Sequence, residues 1–363
     1  MKVAGEGLSK QRGLKTRLKG HRHPMLAEKK QVNSLKKRKW YSLYDKVYAL
    51  PNLERAWEKV RSNKGAGGVD RQTIASFERN KEQQLLELHR LLREKRYRPH
   101  ALRRVYIPKA NGEQRPLGIP TIRDRIVQQA LLNILEPIFE PLFHEHSYGF
   151  RPQRNAHQAI THVRKAVREG KEWIVDVDIC KYFDTVNHEL LLDAVNEEIS
   201  DGSILRLLRM FLESGVMENG IRMETKKGTP QGGVISPLLA NIYLNRFDWE
   251  MAQAGYDVVR YADDFVVLCA SQEEAQRAYE AVRSIIEGKL RLQLHPEKTR
   301  IVHHKEGTFD FAGFLVHRRY LWPRTKSLNN FKDRVKVLTR RQQPKNVGEV
   351  IRDLNYALRG FGN

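Results

Sequence analysis

Cysteine is nearly absent from this chain. Cys180 and Cys269 are the only two in 363 residues, and neither sits in a metal-ligand spacing. A disulfide scaffold is excluded, a structural zinc is not expected, and a reducing cytoplasm fits. No run of 18 apolar residues occurs, so no membrane-spanning helix is expected and no membrane partner is called for. The first 20 residues are basic but lack the apolar stretch of a secretory signal. Nucleotide-cradling glycine fingerprints are missing as well. The Gly65-Ala66-Gly67-Gly68 run has neither the lysine nor the preceding strand that a phosphate loop needs. No internal repeat is present.

Acidic residues are scarce at both ends. Residues 1–39 hold 13 Lys/Arg against 2 Glu, and residues 315–363 hold 12 against 3 acids. These ends carry +11 and +9 of a net charge of +22, leaving +2 for the middle. Such a distribution suits a polyanion gripped from both ends, nucleic acid before membrane. Hydrophobic residues make up 40% of the chain, enough for a real core in about two or three domains.

The acids that do occur are concentrated. Tyr261-Ala262-Asp263-Asp264 lies between Asp257-Val258-Val259-Arg260 and Phe265-Val266-Val267-Leu268. Two strand-forming runs around adjacent carboxylates predict a hairpin with the acids at its tip. Upstream, Trp173-Ile174-Val175-Asp176-Val177-Asp178-Ile179 alternates, which places Asp176 and Asp178 on one strand face. Packing that strand beside the hairpin collects carboxylates that repel one another unless a cation joins them. Hard oxygen ligands of this kind suit Mg²⁺.

Elsewhere the pattern predicts helices over 53–60, capped by Asn52, and over 80–95, 121–143, 157–168, 188–198, 204–214, 235–247 and 271–289. Pro137 and Pro141 are expected to interrupt the third of these, and Asp184 to cap the helix near His188. Hairpins are expected around Asn111-Gly112 and Ala312-Gly313, and a short strand over 290–294. Two further helices are expected at 328–341 and 347–358. His144, His146, His157 and His162 match no usual metal spacing and read as structural or RNA-facing. The order is a helical module, a β-α-β-β-α-β core with acids at strand tips, and a basic helical end, which is an α+β fold.

Five motifs in order carry a resemblance. They are Arg115-Pro116-Leu117-Gly118-Ile119-Pro120, Ser147-Tyr148-Gly149-Phe150-Arg151-Pro152, Val177-Asp178-Ile179 with Lys181-Tyr182-Phe183-Asp184, Pro230-Gln231-Gly232, and Tyr261-Ala262-Asp263-Asp264. Over about residues 50–315 the chain resembles the group II intron-encoded reverse transcriptases (intron maturases). The resemblance implies a right-hand polymerase with fingers and palm, a helical N-terminal extension and a partial helical thumb. Its boundaries would be 1–39 for the basic extension, 40–170 for fingers, 171–315 for palm and 316–363 for thumb.

The resemblance also implies roles. Asp178, Asp263 and Asp264 would be catalytic. Asp178 and Asp263, with Ile179, would hold two Mg²⁺, which Mn²⁺ could replace. Asp176 is read as structural or as a support behind the metal ligands. Lys109, Arg115, Phe183, Gln231 and Lys298 would meet the incoming nucleotide, Phe183 by blocking a 2′-hydroxyl. Gly232, Phe311 and Gly313 would meet nucleic acid, the last two in a hairpin gripping the primer end. Arg151 would support either the template strand or the junction of fingers and palm. Lys36, Lys37, Arg38 and Lys39 belong to the basic run expected to bind RNA. Partners would be template or intron RNA, a DNA or RNA primer, and dNTPs, acting in a bacterial cytoplasm or at the nucleoid as monomer or dimer. The family's third thumb helix is not reached, and no Cys/His-rich nuclease module is seen. Alternatives of other classes are a catalytically silent RNA-binding maturase and a host-recruited reverse transcriptase in defence or repair.

Overall fold

The computed structural model describes residues 39–108, 114–317, 320–342 and 344–362. Lys109 and the Lys36-Lys37-Arg38 run lie outside them. The mixed α+β architecture expected from the element order is what the chain adopts.

The described residues begin with helices α1 (Tyr44–Tyr48), α2 (Leu50–Asn63), α3 (Ile74–Arg79) and α4 (Lys81–Arg93). Asn52 does not cap α2. The helix starts two residues earlier, where Pro51 presets the helical φ of its first turn. Asn52 is buried instead, and its Nδ2 donates to the carbonyls of Lys46, Val47 and Ala130. It thereby ties α1 and α2 to α5 (Ile122–Phe139), whose first turn is capped by the Thr121 hydroxyl. Pro137 lies inside α5 rather than ending it, near the C-terminal end where the loss of one backbone bond is cheapest.

Strands β1 (Leu102–Pro108) and β2 (Gln114–Ile119) form the expected antiparallel hairpin. Two strands of three residues each, β4 (Val216–Glu218) and β5 (Ile221–Met223), extend it into a four-stranded sheet. Three residues are too few to show alternation, and the sequence pattern missed both.

The central sheet is antiparallel, in the order β6 (Asp257–Tyr261), β7 (Asp264–Cys269), β3 (Trp173–Asp178), β8 (Arg300–His303). Its two faces differ, because strand side chains alternate. Val175, Val177, Phe265 and Val267 join the large core together with α10 (Ser236–Gln253) and α11 (Gln272–Arg283). Ile174, Val259, Val266 and Leu268 join a smaller core with Ala159, Ile160 and Val163 of α6 (Ala156–Arg168). Asp176, Asp178 and Asp264 belong by alternation to this second face.

Between β3 and α10 lie α7 (Tyr182–Thr185), α8 (His188–Asn196) and α9 (Gly202–Leu212). The cap of α8 is Asn187, whose Oδ1 accepts from the Leu190 N–H at 3.1 Å; it is not Asp184, which accepts from Gln231. After α11 the backbone widens into a π-helical turn over Ser284–Lys289. The strand expected at 290–294 reduces to one bridge, between Leu294 and Ile179. A three-stranded sheet follows, of β9 (Thr308–Phe311), β10 (Phe314–His317) and β11 (Tyr320–Pro323). Helices α12 (Thr325–Leu338) and α13 (Val347–Gly362) close the chain and meet through stacked Phe331 and Phe361, whose ring centroids are 4.0 Å apart. No helix among the described residues is long and apolar enough to cross a membrane.

Candidate active site

The hairpin tip forms as the pattern predicts. Tyr261 pairs with Asp264, so Ala262 and Asp263 make a two-residue turn, with Ala262 at a φ of +62°. An alanine is strained there, and its neighbours hold it in place. Gly149 lies so close that a Cβ on it would sit 2.2 Å from the Ala262 nitrogen. Only glycine lets the 147–150 segment seat against the tip. Arg260, 1% exposed, fixes the same region from below. Its guanidinium donates to Asp248 at 2.5–3.0 Å, to Asn241 Oδ1 at 3.0 Å and to the Ala262 carbonyl at 2.9 Å. Asn241 Nδ2 in turn donates to the Gly149 carbonyl at 2.9 Å. Sequence reasoning gave no role to Arg260, Asp248 or Asn241, and Gly149 entered only as part of the Ser147-to-Pro152 motif. The available signals were an arginine inside an apolar strand run and an aspartate on a mostly apolar helix.

Strand pairing places Asp178 directly opposite Asp264, with Asp263 beside it at the turn. They line an open cleft of about 580 Å³. Six carboxylates border it, Asp176, Asp178, Asp263, Asp264, Glu297 and Asp310, against the cations Lys298, Arg300 and Arg324. An acid-rich cleft in a chain of net charge +22 is not an accident of composition. Burial raises the Asp264 carboxyl to about 7, with Asp176 and Asp263 adding to it against the Ala312 N–H and Arg324. Burial likewise raises Asp176 to about 6, opposed by Arg300. It raises Asp263 too, with Asp178 pushing the same way and Arg115 and Arg260 opposing.

Each outer acid is turned to a cation. Lys298 Nζ is 3.0 Å from Asp178 Oδ2, and Arg324 Nη2 is 3.6 Å from Asp264 Oδ2. Asp264 Oδ2 also accepts the Ala312 N–H at 2.9 Å. Asp176 faces Arg300 at 3.5 Å. So engaged, the oxygens of Asp178, Asp263 and Asp264 do not all come within 4.8 Å of one another. Among the described residues, the groups that do are His146, His162 and Asp257, and Glu172, His303 and His304. The donor set of the cleft still suits a divalent cation. It offers carboxylate oxygens without sulfur or imidazole, and their mutual repulsion and burial would be relieved by positive charge. Ile179 is buried, and its bridge to Leu294 is closed by bonds from the flanking residues, Cys180 N–H to Gln293 O and His295 N–H to Asp178 O.

Of the residues expected at the nucleotide, Lys298 lines this cleft and Arg115 acts on Asp263, while Arg115, Gln231 and Phe183 come together around a second cavity. Arg115 Nε donates to Gln231 Oε1 at 3.0 Å, and Gln231 Nε2 reaches Asp184 Oδ1 at 3.4 Å. Phe183, half-buried, borders a cavity of about 270 Å³ together with Arg104, Gly118, Asp184 and Gln231. It meets Phe150 edge-on, with centroids 6.5 Å apart. Gly232 has a packing reason of its own, since a Cβ there would sit 2.6 Å from the Gly118 carbonyl.

Two sequence expectations meet close packing. The first concerns Arg151. Its side chain is 6% exposed and donates to Glu140 and to the carbonyls of His144 and Ser147, leaving nothing for a template strand. Phe311 is fully buried in the smaller core, so it does not face nucleic acid. The part of that hairpin beside the acids is its turn, Ala312-Gly313, with φ of +49° and +88°. Lys39 is exposed.

The four histidines also part company. His144 packs edge-on against Trp249, and His157 against Phe314. His146 and His162 converge on Asp257, a group capable of holding a metal ion. No local spacing could reveal it, because Asp257 lies 95 residues beyond His162. Burial raises the Asp257 carboxyl, but hydrogen bonds from His146, His162 and Lys171 outweigh it and hold it well below the usual carboxylate range.

Comparison with known proteins bears on this arrangement. The family model described as reverse transcriptase (RNA-dependent DNA polymerase) matches residues 107–316. Protein YkfC of Escherichia coli (strain K12) is 40% identical, over 61% of this chain and 68% of YkfC. The group II intron-encoded protein LtrA of Lactococcus lactis subsp. cremoris is 32% identical, over 73% of this chain and 54% of LtrA. The chain thus spans little more than half of LtrA. A solved partial Cas6-RT-Cas1–Cas2 complex aligns with 68% of this chain and 41% of that chain, at 25% identity and a TM-score of 0.44.

Proposed function

The chain belongs to the family of group II intron-encoded reverse transcriptases and maturases, and from that premise we propose that it is an RNA-directed DNA polymerase that adds deoxynucleotides to a primer 3′-hydroxyl. The observation that carries the reading is the cross-strand pairing of Asp178 with Asp264, with Asp263 at the adjoining turn, in one acid-rich cleft. Residues 40–170 would act as fingers, 171–315 as palm and 316–363 as part of a thumb. Template or intron RNA, a primer and dNTPs are the partners that family membership implies.

Asp178 and Asp263, with the Ile179 carbonyl, would hold two Mg²⁺, which when bound make the primer hydroxyl nucleophilic and stabilise the triphosphate. The chain's own groups do the rest. Lys298 balances Asp178 in the free protein and is placed to turn its ammonium to a phosphate once another cation takes that position. Arg115 offers a guanidinium fork to phosphate from the strand beside Gln231. Gln231 presents its amide to the templating base or nucleotide. The hairpin turn at Ala312-Gly313 orders Asp264 and would seat the primer end beside it.

The test is primer extension on an RNA template with dNTPs. Product should form with Mg²⁺ or Mn²⁺ and stop on chelation. Tight RNA binding without any extension would instead identify a silent RNA-binding maturase.

The sugar can be probed separately. Phe183→Ala should raise incorporation of ribonucleotides relative to deoxynucleotides, because the ring bordering the Gln231 cavity no longer meets a 2′-hydroxyl. The readout is the ratio of single-nucleotide incorporation efficiencies. An unchanged ratio would leave Phe183 with only its packing against Phe150 and Tyr182.

A further inference from the structure

The face of the central sheet that carries Asp178 and Asp264 at one end carries Asp257 at the other. Asp257 begins β6 and Tyr261 ends it, so the two lie about 13 Å apart at ~3.3 Å per residue. Here three segments distant in sequence meet. The 144–150 segment supplies His146, helix α6 supplies His162, and β6 supplies Asp257. His146 Nδ1 is 3.3 Å from Asp257 Oδ1, and His162 Nε2 is 3.1 Å from the same oxygen. All three ligand atoms lie within 4.8 Å of one another.

We propose that His146, His162 and Asp257 form a structural Zn²⁺ site, with water as the fourth ligand. The spacing is right. Zinc bonds of about 2.0–2.2 Å in a tetrahedron put neighbouring ligand atoms about 3.3 Å apart. Two imidazoles and a carboxylate form a borderline donor set that zinc accepts and that Mg²⁺, which prefers oxygen alone, does not.

The surroundings are those of a metal site as well. A ligating histidine normally engages a partner through its other ring nitrogen. His162 Nδ1 is 3.2 Å from the Tyr148 hydroxyl, which fixes Nε2 toward Asp257. Asp257 Oδ2 is held by Lys171 Nζ at 2.6 Å, so Oδ1 is the oxygen left for the imidazoles. Without a metal, both rings must spend an N–H on one oxygen of a carboxylate whose other oxygen is already paired with an ammonium. One zinc would take the lone pairs of both nitrogens, and each ring's proton would move to its other nitrogen, on His162 toward the Tyr148 hydroxyl. The shortage of cysteine does not oppose this, because the ligand set contains none.

The site would also serve the cleft at a distance. The His146 carbonyl accepts the Arg260 N–H at 3.0 Å, and the Tyr148 N–H donates to the Arg260 carbonyl at 2.8 Å. Pinning His146 to α6 and β6 therefore steadies the strand of backbone that ends in Gly149, against the Ala262-Asp263 turn.

The full chain, stripped with a chelator and dialysed, is titrated with ZnCl₂ by calorimetry while thermal unfolding is followed in parallel. The parent should bind zinc and unfold several degrees higher. His162→Gln and Asp257→Asn should each lose one equivalent and the associated shift. His303→Gln, in the separate group of Glu172, His303 and His304, should keep both. Should the first two variants not fold, the parent is loaded with Co²⁺, and the visible absorption of tetrahedral cobalt must appear. Absence of that absorption, or equal zinc uptake by a folded His162→Gln protein and the parent, overturns the proposal. Neither outcome touches the polymerase reading, since extension is not the readout.

Discussion

Asp263→Asn should leave a folded protein that extends primers at least about 10³-fold more slowly than the parent, beyond the ~10²–10³ that removal of a single charge-stabilising donor costs in other sites. The expectation that the fold survives comes from the environment. Asp263 occupies the turn between β6 and β7, and burial there raises its carboxyl and so disfavours its charge. Asparagine has the same shape and no charge, so the substitution removes a repulsion with Asp178 while leaving the hairpin's strand pairing untouched. The expected loss of activity has the same origin. A carboxylate kept where burial and Asp178 oppose its ionisation adds little to stability, and its use is to bind positive charge during reaction. Circular dichroism and thermal unfolding establish that the variant is folded. Extension assays on an RNA template at several Mg²⁺ and Mn²⁺ concentrations give the rate. A folded variant within a few-fold of the parent would remove Asp263 from the chemistry and take the two-metal reading with it.

The parts of this site legible in the sequence are those written in short-range periodicity. Alternation over 173–179 put Asp176 and Asp178 on one face, and two β-rich runs around Asp263-Asp264 gave the hairpin. Their union needs only the pairing of β3 with β7, which ordered motifs of a family already imply. What stayed hidden depends on contacts between distant segments. Arg151 looks like any loop arginine until Glu140, His144 and Ser147 surround it. Phe311 looks like a primer contact until Val316 and Phe309 close around it, because strand alternation alone does not say which face is covered. Asp257 looks like a strand-initiating polar residue until His146, His162 and Lys171 converge on it. The same limit explains Asp184 and Asn187. Both are good capping types three residues apart, and the cap goes to the one immediately before the helix, while Asp184 is engaged by Gln231.

Arg260→Met should be the most destabilising single change near the site, by about 3–5 kcal/mol, because it strands a buried charge. Asp248 is 3% exposed, on a helix otherwise packed against apolar residues, and Arg260 supplies three bonds to its carboxylate. Removing the guanidinium also frees the Asn241 carbonyl oxygen and the Ala262 carbonyl, both buried in the link to Gly149. If that accounting is correct, the damage belongs mainly to the abandoned partner. Arg260→Met with Asp248→Leu should then recover much of the lost stability, since a buried ion pair replaced by apolar groups of similar size is often neutral. Activity should not recover in step. The double variant still lacks the donor that holds the Ala262 carbonyl, so the turn bearing Asp263 keeps a looser position, and misplacement of about 1 Å can cost ~10²-fold in rate. Denaturant melts of the parent, both single variants and the double variant give the coupling between the two residues, and extension assays on the folded proteins give the second axis. Additive stability losses would show that Arg260 and Asp248 do not act as a pair. Full activity in a restabilised double variant would show that the Ala262 turn holds its place without Arg260, leaving Gly149 and strand pairing as its supports.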